Sequence, residues 1–475
     1  MAGPRNDAPA RPIKVQAADP RKLDRFNPRN PIYVRKSSGE WTNLRRKMGW
    51  VFMAFFLLIP WIPWGDRPAI LFELASRKFY VFDLVIWPQD LMVLAFLFMI
   101  AAFALFFFTT YLGRVWCGYT CPQTIWTFIF IWIEEKIEGA RNKRIKLDKA
   151  PWNTEKVIKK TSKHLAWFLV ALGTSLAFIS YFYPATELYI DFFTGQASGT
   201  AYFWTLFFTF ATYGNAGWMR EIMCLHMCPY ARFQSVMFDK DTYLVGYDAT
   251  RGETRGPRGR KQDPKAMGLG DCIDCNLCVQ VCPTGIDIRN GLQYECINCG
   301  VCAETCDDVM GKMGYDKGLI SYTTERQLEG GSSKVMRPKL VGYGAALIVM
   351  CIAFVFMVNA IKPLALDVLR DRNMLYRETN AGLIENVYTL KVMNKSEKAV
   401  NFDLSLTGLD DFKWIGPQQL LVDAGEVASL PISIAVDPFD LKMPIMDVQF
   451  HLKANINNEE FSDQQDSRFI GAGGR

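Results

Sequence analysis

Long uncharged segments alternate with strongly charged segments along this chain. Five of the uncharged runs are long enough, or nearly long enough, to cross a lipid bilayer as an α-helix. These runs are Met48–Trp64, Leu91–Leu112, Leu165–Thr186, a stretch within Phe192–Met219, and Leu340–Ile361. Tryptophan and tyrosine residues gather near several run ends, where amphipathic rings suit the headgroup region. The pattern predicts an α-helical membrane protein with about five transmembrane helices.

A sixth uncharged run, Val115–Ile133, has the length of a span but an unsuitable charge context. If it crossed the membrane, residues 134–163 would face the periplasm, and these residues are rich in lysine and arginine. Basic loops tend to remain in the cytoplasm. We therefore interpret this run as a helix that either dips into the cytoplasmic interface or packs against the other spans.

The basic residues orient the predicted spans. With five spans the basic segments fall on one side, which indicates a multi-pass protein of the bacterial inner membrane with a cytoplasmic N-terminus and no cleaved signal peptide. A glycine- and arginine-rich stretch between residues 250 and 265 suits anionic lipid headgroups better than nucleic acid. The predicted organisation is a basic cytoplasmic arm (1–47), a four-span region (48–219) with a cytoplasmic loop (113–163), a cytoplasmic region (220–339), a fifth transmembrane helix (340–361) and a periplasmic domain (362–475).

The C-terminal region has a different periodicity. Apolar residues alternate with polar ones in four short runs: Val387–Met393, Val400–Leu406, Ala428–Val436 and Asp447–Leu452. Turn-forming residues separate these runs, a pattern typical of a small immunoglobulin-like β-sandwich. The region contains no cysteine, so a sandwich pinned by a disulfide is excluded.

The strongest chemical signal is a doubled cysteine motif. Twelve of the 13 cysteines fall into four tight groups, and the remaining one, Cys351, is expected to be a small core residue. Two groups have the spacing C-x2-C-x2-C-x3-C of bacterial ferredoxins, in which the fourth cysteine ligates the neighbouring 4Fe–4S cluster. Zinc is the alternative for Cys-x2-Cys pairs, but the doubled spacing disfavours it. We assign one cluster to Cys272, Cys275, Cys278 and Cys306, and the other to Cys296, Cys299, Cys302 and Cys282, in a ferredoxin-like domain at about residues 262–310.

The other two groups share the pattern Cys-x3-Cys-Pro. A spacing of four residues predicts that both thiols of a group lie on one helix face, although each proline requires its helix to begin or kink at that point. Thiolate and thioether are soft ligands that favour Cu(I). We therefore favour a copper or other soft-metal site formed by Cys117, Cys121, Cys224 and Cys228, with Met223, Met227 and His226 nearby. Two alternatives remain open, namely redox-active thiol pairs and cysteines that only pack helices.

Several classes of redox protein are disfavoured. The chain has only three histidines, so it lacks the paired axial ligands of a membrane cytochrome b. It also lacks a Gly-x-Gly-x-x-Gly motif after a strand and a P-loop, which leaves nucleotide and flavin chemistry without support.

These features together resemble the cytochrome c oxidase accessory proteins of the CcoG/FixG (RdxA) type. The resemblance is carried by Trp-Cys-Gly-Tyr-Thr-Cys-Pro-Gln, Cys-Leu-His-Met-Cys-Pro-Tyr, the doubled ferredoxin motif, Gly318-Leu-Ile-Ser-Tyr-Thr-Thr-Glu325 and the β-rich tail. It covers nearly the whole chain beyond the N-terminal arm.

The resemblance implies five spans, two 4Fe–4S clusters, an immunoglobulin-like domain and a role in the assembly of cbb3-type cytochrome c oxidase. The implied activity is that of a cupric reductase, which reduces Cu(II) to Cu(I). The expected partners are oxidase assembly factors, copper chaperones, membrane lipid, a cytoplasmic electron donor of unassigned identity and a second copy of the chain in a homodimer. Two alternative functions are an electron relay from quinol or ferredoxin to a periplasmic reductase, and a non-enzymatic assembly scaffold.

Overall fold

The computed structural model describes residues 32–471, except for residues 66, 83, 88–89, 261, 294, 361, 372–373, 397, 442 and 457–458. Most of the predicted N-terminal arm therefore lies outside the described residues. The chain divides into two compact units, Met1–Phe354 and Val355–Arg475.

The first unit is mainly helical and carries all the cysteines of the four groups. The helices of the chain are α1 (Glu40–Leu58), α2 (Leu91–Leu112), α3 (Val115–Tyr119), α4 (Pro122–Glu138), α5 (Arg141–Lys149), α6 (Thr154–Ile179), α7 (Ala185–Thr194), α8 (Gly199–Tyr213), α9 (Pro229–Met237), α10 (Ala249–Gly252), α11 (Leu277–Gln280), α12 (Val301–Met313), α13 (Glu325–Leu328) and α14 (Pro338–Asn359). The strands of the first unit are β1 (Pro63–Trp64), β2 (Arg67–Pro68), β3 (Ile70–Glu73), β4 (Lys78–Val81), β5 (Leu84–Ile86), β6 (Leu244–Tyr247) and β7 (Ile320–Thr323).

Three helices in the described part of the chain are long and apolar enough to cross a membrane. They are Met92–Leu112, Thr154–Ile179 and Pro338–Asn359. The helix predicted at Leu91–Leu112 coincides with α2. The helix at the predicted span Leu165–Thr186 begins and ends earlier in the chain, at Thr154–Ile179 (α6). Its helix α6 begins earlier because the Asn153 side chain accepts a hydrogen bond from the Lys156 backbone N–H, which caps the N-terminus.

Two predicted spans differ from the helices that the structure forms. The run Met48–Trp64 is α-helical only to Leu58 and continues as a single 3-10 turn over Ile59–Trp61, and helix α1 extends back to Glu40 through basic residues of the predicted arm. Pro60 and Pro63 account for the early end, since proline breaks the helical hydrogen-bond ladder. The run Phe192–Met219 is split at Gly195, and α8 continues into π-helical residues Gly214–Met219. Five spans therefore remain a prediction.

The run Val115–Ile133 forms two helices rather than one. Helices α3 and α4 are separated at Thr120 and Cys121, because Pro122 begins a new helix and Cys121 has an extended backbone. Helix α4 packs against α6 through a core of Phe130, Ile133, Trp167, Ala171 and Ala216. Of the two interpretations of this run, the structure shows packing against a neighbouring span.

A buried ion cluster joins α4, α5 and α6. The carboxylate of Glu134 lies 2.9 Å from Arg144 and 2.6 Å from Arg220. Glu138, one turn further along α4, lies 3.0 Å from the ammonium group of Lys163. Much of the basic charge that the sequence places in this loop is therefore neutralised inside the first unit.

The ferredoxin-like region is closed by a small antiparallel sheet. Strand β6 pairs with β7 in a register that places Leu244 opposite Thr323 and Tyr247 opposite Ile320. Val245, Tyr247 and Ile320 of these strands share one core with Cys272 and Cys278, so the structural region extends beyond the predicted residues 262–310. Glu304 of α12 also holds the start of α1, accepting hydrogen bonds from the Ser37 hydroxyl and the Thr42 backbone N–H, each at 3.0 Å.

The second unit is a β-sandwich. Its strands are β8 (Leu364–Arg370), β9 (Arg377–Glu378), β10 (Ile384–Asn394), β11 (Val400–Thr407), β12 (Lys413–Ile415), β13 (Gln419–Val422), β14 (Val427–Val436), β15 (Ile445–Ile456) and β16 (Glu459–Ile470). One sheet has the order β12-β14-β10-β8, with β9 paired to β10, and the other has the order β13-β11-β15-β16. Tyr388, Phe402, Phe450 and Phe469 fill the core between the sheets. Each predicted run of alternating residues lies in one of these strands.

Candidate redox site

The two ferredoxin motifs fold as tight loops that each lead into a helix. Asp274, Asn276, Asn298 and Gly300 all have positive φ, and α11 and α12 begin immediately after Asn276 and Gly300. Asparagine, aspartate and glycine tolerate this left-handed conformation, which lets the chain curl around a small space. Asn298 is fixed by its side chain, which accepts a bond from the Val245 N–H at 2.7 Å and donates one to the Leu112 carbonyl at 2.9 Å.

Two cavities lie inside these loops, and each is lined by one of the two predicted ligand sets. The first cavity is lined by Cys272, Cys275, Cys278 and Cys306. The second is lined by Cys282, Cys296, Cys299 and Cys302, with Cys278 on the shared wall. The fourth cysteine of each motif therefore reaches the cavity of the other motif, as the crossed pattern of two-cluster ferredoxins requires.

The chemistry of these thiols fits iron–sulfur clusters. Burial raises the pKa of Cys278, Cys296 and Cys306 to about 12, and it also raises the pKa of Cys302 well above the ordinary value of a thiol. A buried thiol with such a pKa stays protonated at neutral pH unless a cation replaces its proton. Iron supplies that positive charge, so four thiols around one cavity suit a cluster that binds them as thiolates.

Cationic side chains surround both cavities. Arg289 favours the thiolate of Cys278, Arg45 favours that of Cys299, and Arg114 favours that of Cys296. A cluster with four thiolates is anionic, and nearby positive charge raises its affinity for an electron. Arg45 and Arg114 lie far from the motif in sequence, and no spacing rule assigns them to it.

The Cys-x3-Cys-Pro groups do not form continuous helices. Cys117 lies in α3, but Cys121 is the extended residue that precedes α4. Cys224 lies in the π-helical segment Met223–Met227, and Cys228 is the extended residue that precedes α9. The prediction that both thiols of a group share one helix face is therefore wrong. The cause is the proline after each second cysteine, which favours an extended conformation in the residue before it.

The two groups nevertheless meet in the structure. The charges of Cys121 and Cys117 are, after burial, the largest causes that raise the pKa of Cys224, to about 12. Cys117 is in turn influenced by Cys121 and Cys228. Two cysteine pairs that are more than 100 residues apart in the sequence are thus close enough to influence each other's charge, and we call them the four-thiol site (Cys117, Cys121, Cys224 and Cys228).

Two polar residues complete the surroundings of Cys117. Its thiol donates to the Gln234 side-chain oxygen at 3.2 Å, and the Arg114 Nη2 lies 3.9 Å from its sulfur. Arg114 also donates to Gln234 at 3.1 Å. Gln234 is fully buried in α9, and sequence reasoning missed it because an isolated glutamine carries no motif.

The predicted soft-metal residues are not gathered into a ready-made mononuclear centre. In the described parts of the chain, no three side chains of His, Cys, Asp or Glu are placed to hold one metal ion. Met223 is half-buried, while His226 and Met227 are exposed beside Cys224 and Cys228. The arrangement offers pairs of soft ligands near the surface rather than a closed tetrahedral cage.

The segment that carries Cys117 is in direct contact with the loop of the second ferredoxin motif (residues 296–302), which we call the second cluster loop. A Cβ atom on Gly118 would lie 2.6 Å from the carbonyl oxygen of Ile297 and 3.1 Å from the Cα of Cys299. The hydroxyl of Tyr119 donates to the Cys299 carbonyl at 3.3 Å. Cys117 and Cys299 also share one small core with Val281, Ile297 and Val301. The segment that carries Cys117 therefore packs directly against the segment that carries Cys299.

Two ferredoxin-type cysteine cavities beside a four-thiol site, together with apolar helices and a β-sandwich, define an iron–sulfur electron-transfer protein. Family sequence models agree with this class. The 4Fe-4S dicluster domain matches residues 219–325, a 4Fe-4S binding domain matches residues 94–138, and the Ig-like fold at the C-terminus of FixG matches residues 354–472.

Curated relatives give the particular family. The chain is 39% identical over 397 residues to Protein RdxB of Cereibacter sphaeroides, which covers 81% of this chain and 83% of that protein. It is 35% identical over 422 residues to the nitrogen fixation protein FixG of Rhizobium meliloti, which covers 81% of this chain and 80% of the relative. A crystal structure of a FixG-related protein from Vibrio parahaemolyticus is 41% identical, covers 23% of this chain and 97% of that chain, and has a TM-score of 0.22. The chain belongs to the FixG family, as its sequence motifs indicated.

Proposed function

We propose that this protein is a membrane-bound cupric reductase that supplies Cu(I) for the assembly of cbb3-type cytochrome c oxidase. The observation that carries the proposal is the contact between Gly118 and Cys299, because it places soft copper ligands next to an electron-transfer cavity. Electrons cross such short distances through packed protein readily. The matching 4Fe-4S family models support redox chemistry, and the reduction of copper is the part that the experiment below tests.

The residues of the chain divide into cluster ligands and substrate ligands. We assign the two 4Fe–4S clusters to the two cysteine sets that line the two cavities. When bound, each cluster would carry one electron, and the two clusters would act in series. Arg45, Arg114 and Arg289 hold positive charge beside the thiolates, and the apolar core of Val281, Ile297 and Val301 excludes water from the second cavity.

Copper is the substrate in this proposal. Cu(II) gains one electron and becomes Cu(I), which prefers thiolate and thioether ligands and accepts as few as two of them. Pairs drawn from the four-thiol site, with Met223, Met227 and His226 at its exposed side, match that preference. An open site of this kind suits a metal ion that must leave for a chaperone.

The proposal includes a location and partners. We place the N-terminus and both clusters in the cytoplasm of a bacterial inner membrane, with the β-sandwich in the periplasm. That orientation keeps the basic segments inside. Copper chaperones and oxidase assembly factors are the proposed partners.

The test uses anaerobically purified protein reduced with dithionite and freed of excess reductant. Cu(II) is added, cluster absorbance is followed, and a Cu(I)-specific chelator reports the product. We expect reoxidation of the clusters with matching Cu(I) in the wild type. The variant with Cys117, Cys121, Cys224 and Cys228 replaced by Ala should keep its clusters and lose Cu(I) formation, whereas Cys351→Ala, an exposed cysteine elsewhere, should behave as wild type. Undiminished Cu(I) formation in the four-site variant contradicts the proposed copper site.

One observation favours an alternative to copper at the four-thiol site. The family model of a 4Fe-4S binding domain covers residues 94–138, which include Cys117 and Cys121 but none of the ferredoxin motifs. A third 4Fe–4S cluster on the four thiols would then extend the electron path to the surface. Iron and sulfide analysis separates the two cases, because two clusters hold about eight iron atoms per chain and three hold about twelve. A loss of four iron atoms in the four-site variant would establish the third cluster.

A further inference from the structure

The first unit contains a large cavity that the proposed function does not use. Its volume is about 500 Å³, within the range of sites for small organic ligands. It lies between α1, α4, the chain preceding α1 and the second cluster loop. Its lining includes Arg45, Gly49 and Trp50 of α1, Phe128 and Trp132 of α4, and Val301 of α12.

The deep wall of this cavity is shared with the redox sites. Val281 and Val301 each adjoin a cysteine that lines the second cluster cavity, namely Cys282 and Cys302. Gly118 and Tyr119 touch Cys299, as described above. A molecule in this cavity would therefore contact the side of the second cluster loop, next to the residues that carry the four-thiol site.

A buried polar group on Arg45 has no partner inside the cavity. The Nη1 atom of Arg45 is buried and makes no hydrogen bond to any described residue. Its guanidinium carbon lies over the ring of Phe128, 3.7 Å from the ring centroid, and its charge interacts with that of Cys299. An unsatisfied buried N–H is costly, so its presence points to a ligand that offers an oxygen atom.

The outer part of the cavity resembles a membrane boundary. Trp50 and Trp132 line it and are 65% and 56% exposed, and Arg46 and Lys136 stand beside them. Tryptophan with lysine or arginine is typical of the headgroup region. The cavity thus has an aromatic, lipid-accessible entrance and an apolar interior that ends at a hydrogen-bond donor beside a redox centre.

We propose that this cavity binds an isoprenoid quinol, and that this quinol is the electron donor. A ring oxygen accepts a hydrogen bond from Arg45 Nη1, the ring packs against Phe128, and the tail leaves between Trp50 and Trp132. One quinol loses two electrons and two protons and becomes a quinone, and two Cu(II) ions become Cu(I). The two protons are released on the exposed side, where Glu135 lies 3.8 Å from Lys36.

The choice of a quinol over a phospholipid headgroup follows from where the donor lies. A phosphate would be held by the exposed cations at the entrance, whereas the unpartnered N–H of Arg45 is at the buried end, next to the cluster loop. A quinol ring at that position can accept the hydrogen bond from Arg45 and pass electrons to the adjacent cluster loop. A phospholipid headgroup has no redox chemistry that would require this position. The identity of the electron acceptor rests on the proposed function, but the binding of quinol does not.

Binding is tested on purified holoprotein with decylubiquinone by titration calorimetry, and with an azido-quinone whose covalent attachment is mapped by mass spectrometry. We expect labelling of α1 or α4. Arg45→Gln should weaken binding on the order of tenfold, since a hydrogen bond from a charged donor is lost. Gly49→Phe should abolish binding, because a Cβ at Gly49 meets only Ile125 at 3.7 Å and a larger side chain projects into the cavity. Gly49→Ala and Lys47→Gln, on the same helix, are the matched controls.

The choice of electron donor in the assay distinguishes a failure of the quinol site from a failure of the proposed copper reduction. In Gly49→Phe, dithionite-driven Cu(I) formation and cluster absorbance should remain at wild-type levels while decylubiquinol-driven Cu(I) formation falls. Absence of quinone binding in the wild type, or equal binding in Gly49→Phe, overturns the quinol site. Phospholipid that co-purifies with wild type and not with Gly49→Phe, without quinone binding, overturns it in favour of a lipid site.

Discussion

Gly118 shows at the residue scale how the four-thiol site is held against the cluster loop. Any side chain at this position must displace the backbone of Ile297 and Cys299, because its Cβ would lie 2.6 Å from a carbonyl oxygen. Backbone atoms cannot rotate away as a flexible side chain can, so the two loops must separate. The absence of a side chain is therefore what allows the close contact.

We expect Gly118→Ala to lower the stability of the protein by about 1–3 kcal/mol through overpacking. It should also slow the transfer of electrons from dithionite-reduced clusters to Cu(II). Thermal unfolding and stopped-flow absorbance measure the two effects. The matched control is Gly173→Ala, a helical position with no atom within 4 Å of its Cβ, where we expect no loss of either property.

Glu134 is a second position where one residue organises its surroundings. Its buried carboxylate faces Arg144, Arg220 and, at 3.9 Å, Lys163. Glu134→Gln leaves these cations without their shared anion, and we expect a loss of about 3–5 kcal/mol in the free energy of unfolding. Glu155→Gln, which breaks only an exposed pair with Lys159, should change the melting temperature little. Equal melting temperatures for the two variants would contradict this role of the buried cluster.

At the scale of elements, proline sets the position of two of the four thiols. Pro122 begins α4 and Pro229 begins α9, and the cysteine before each proline is extended. A cysteine at the edge of a helix can point toward the other group, whereas a cysteine inside the helix would follow its fixed angular spacing. The break in the helix is therefore part of the site.

We expect Pro122→Ala to impair the site without unfolding the helices. Alanine permits α3 and α4 to join through Cys121, which would turn its thiol away from Cys224. Circular dichroism should show unchanged or slightly higher helix content, and Cu(I) formation after dithionite reduction should fall. Pro338→Ala, at the first position of α14, makes the same chemical change far from the thiols and should leave copper reduction unaffected. Full activity in Pro122→Ala would show that the break is not required.

At the scale of the whole molecule, the division into two units predicts independent folding of the sandwich. A fragment from Pro363 to Gly471 contains both sheets and the core between them. We expect it to be soluble, rich in β-structure and cooperative in thermal unfolding without iron. Phe450→Ala, at a fully buried position, should cost about 3–5 kcal/mol in this fragment, while Phe439→Ala, at a 96% exposed position, should cost little. A fragment that remains unfolded would contradict the division.

The sequence by itself determined the iron–sulfur class, the sandwich and the family. Cysteine spacing of two and three residues encodes a loop that closes around one cluster, and apolar alternation of period two encodes a half-buried strand, so both are readable from neighbouring residues. The crossed assignment of Cys282 and Cys306 could also be stated before the structure, because it follows from the length of the motif.

Only the tertiary structure decided how the distant parts meet. Arg45, Arg114, Tyr119 and Gln234 surround the thiols through contacts between residues that are far apart in the chain, and no local pattern carries such information. The prediction that both thiols of a group share one helix face fails for a local reason instead, because a spacing of four residues takes no account of the extended backbone that proline favours at Cys121 and Cys228. The cavity beside Cys299 is likewise a property of packing, because its walls come from α1, α4, the chain preceding α1 and the second cluster loop, and the volume between them depends on all four at once.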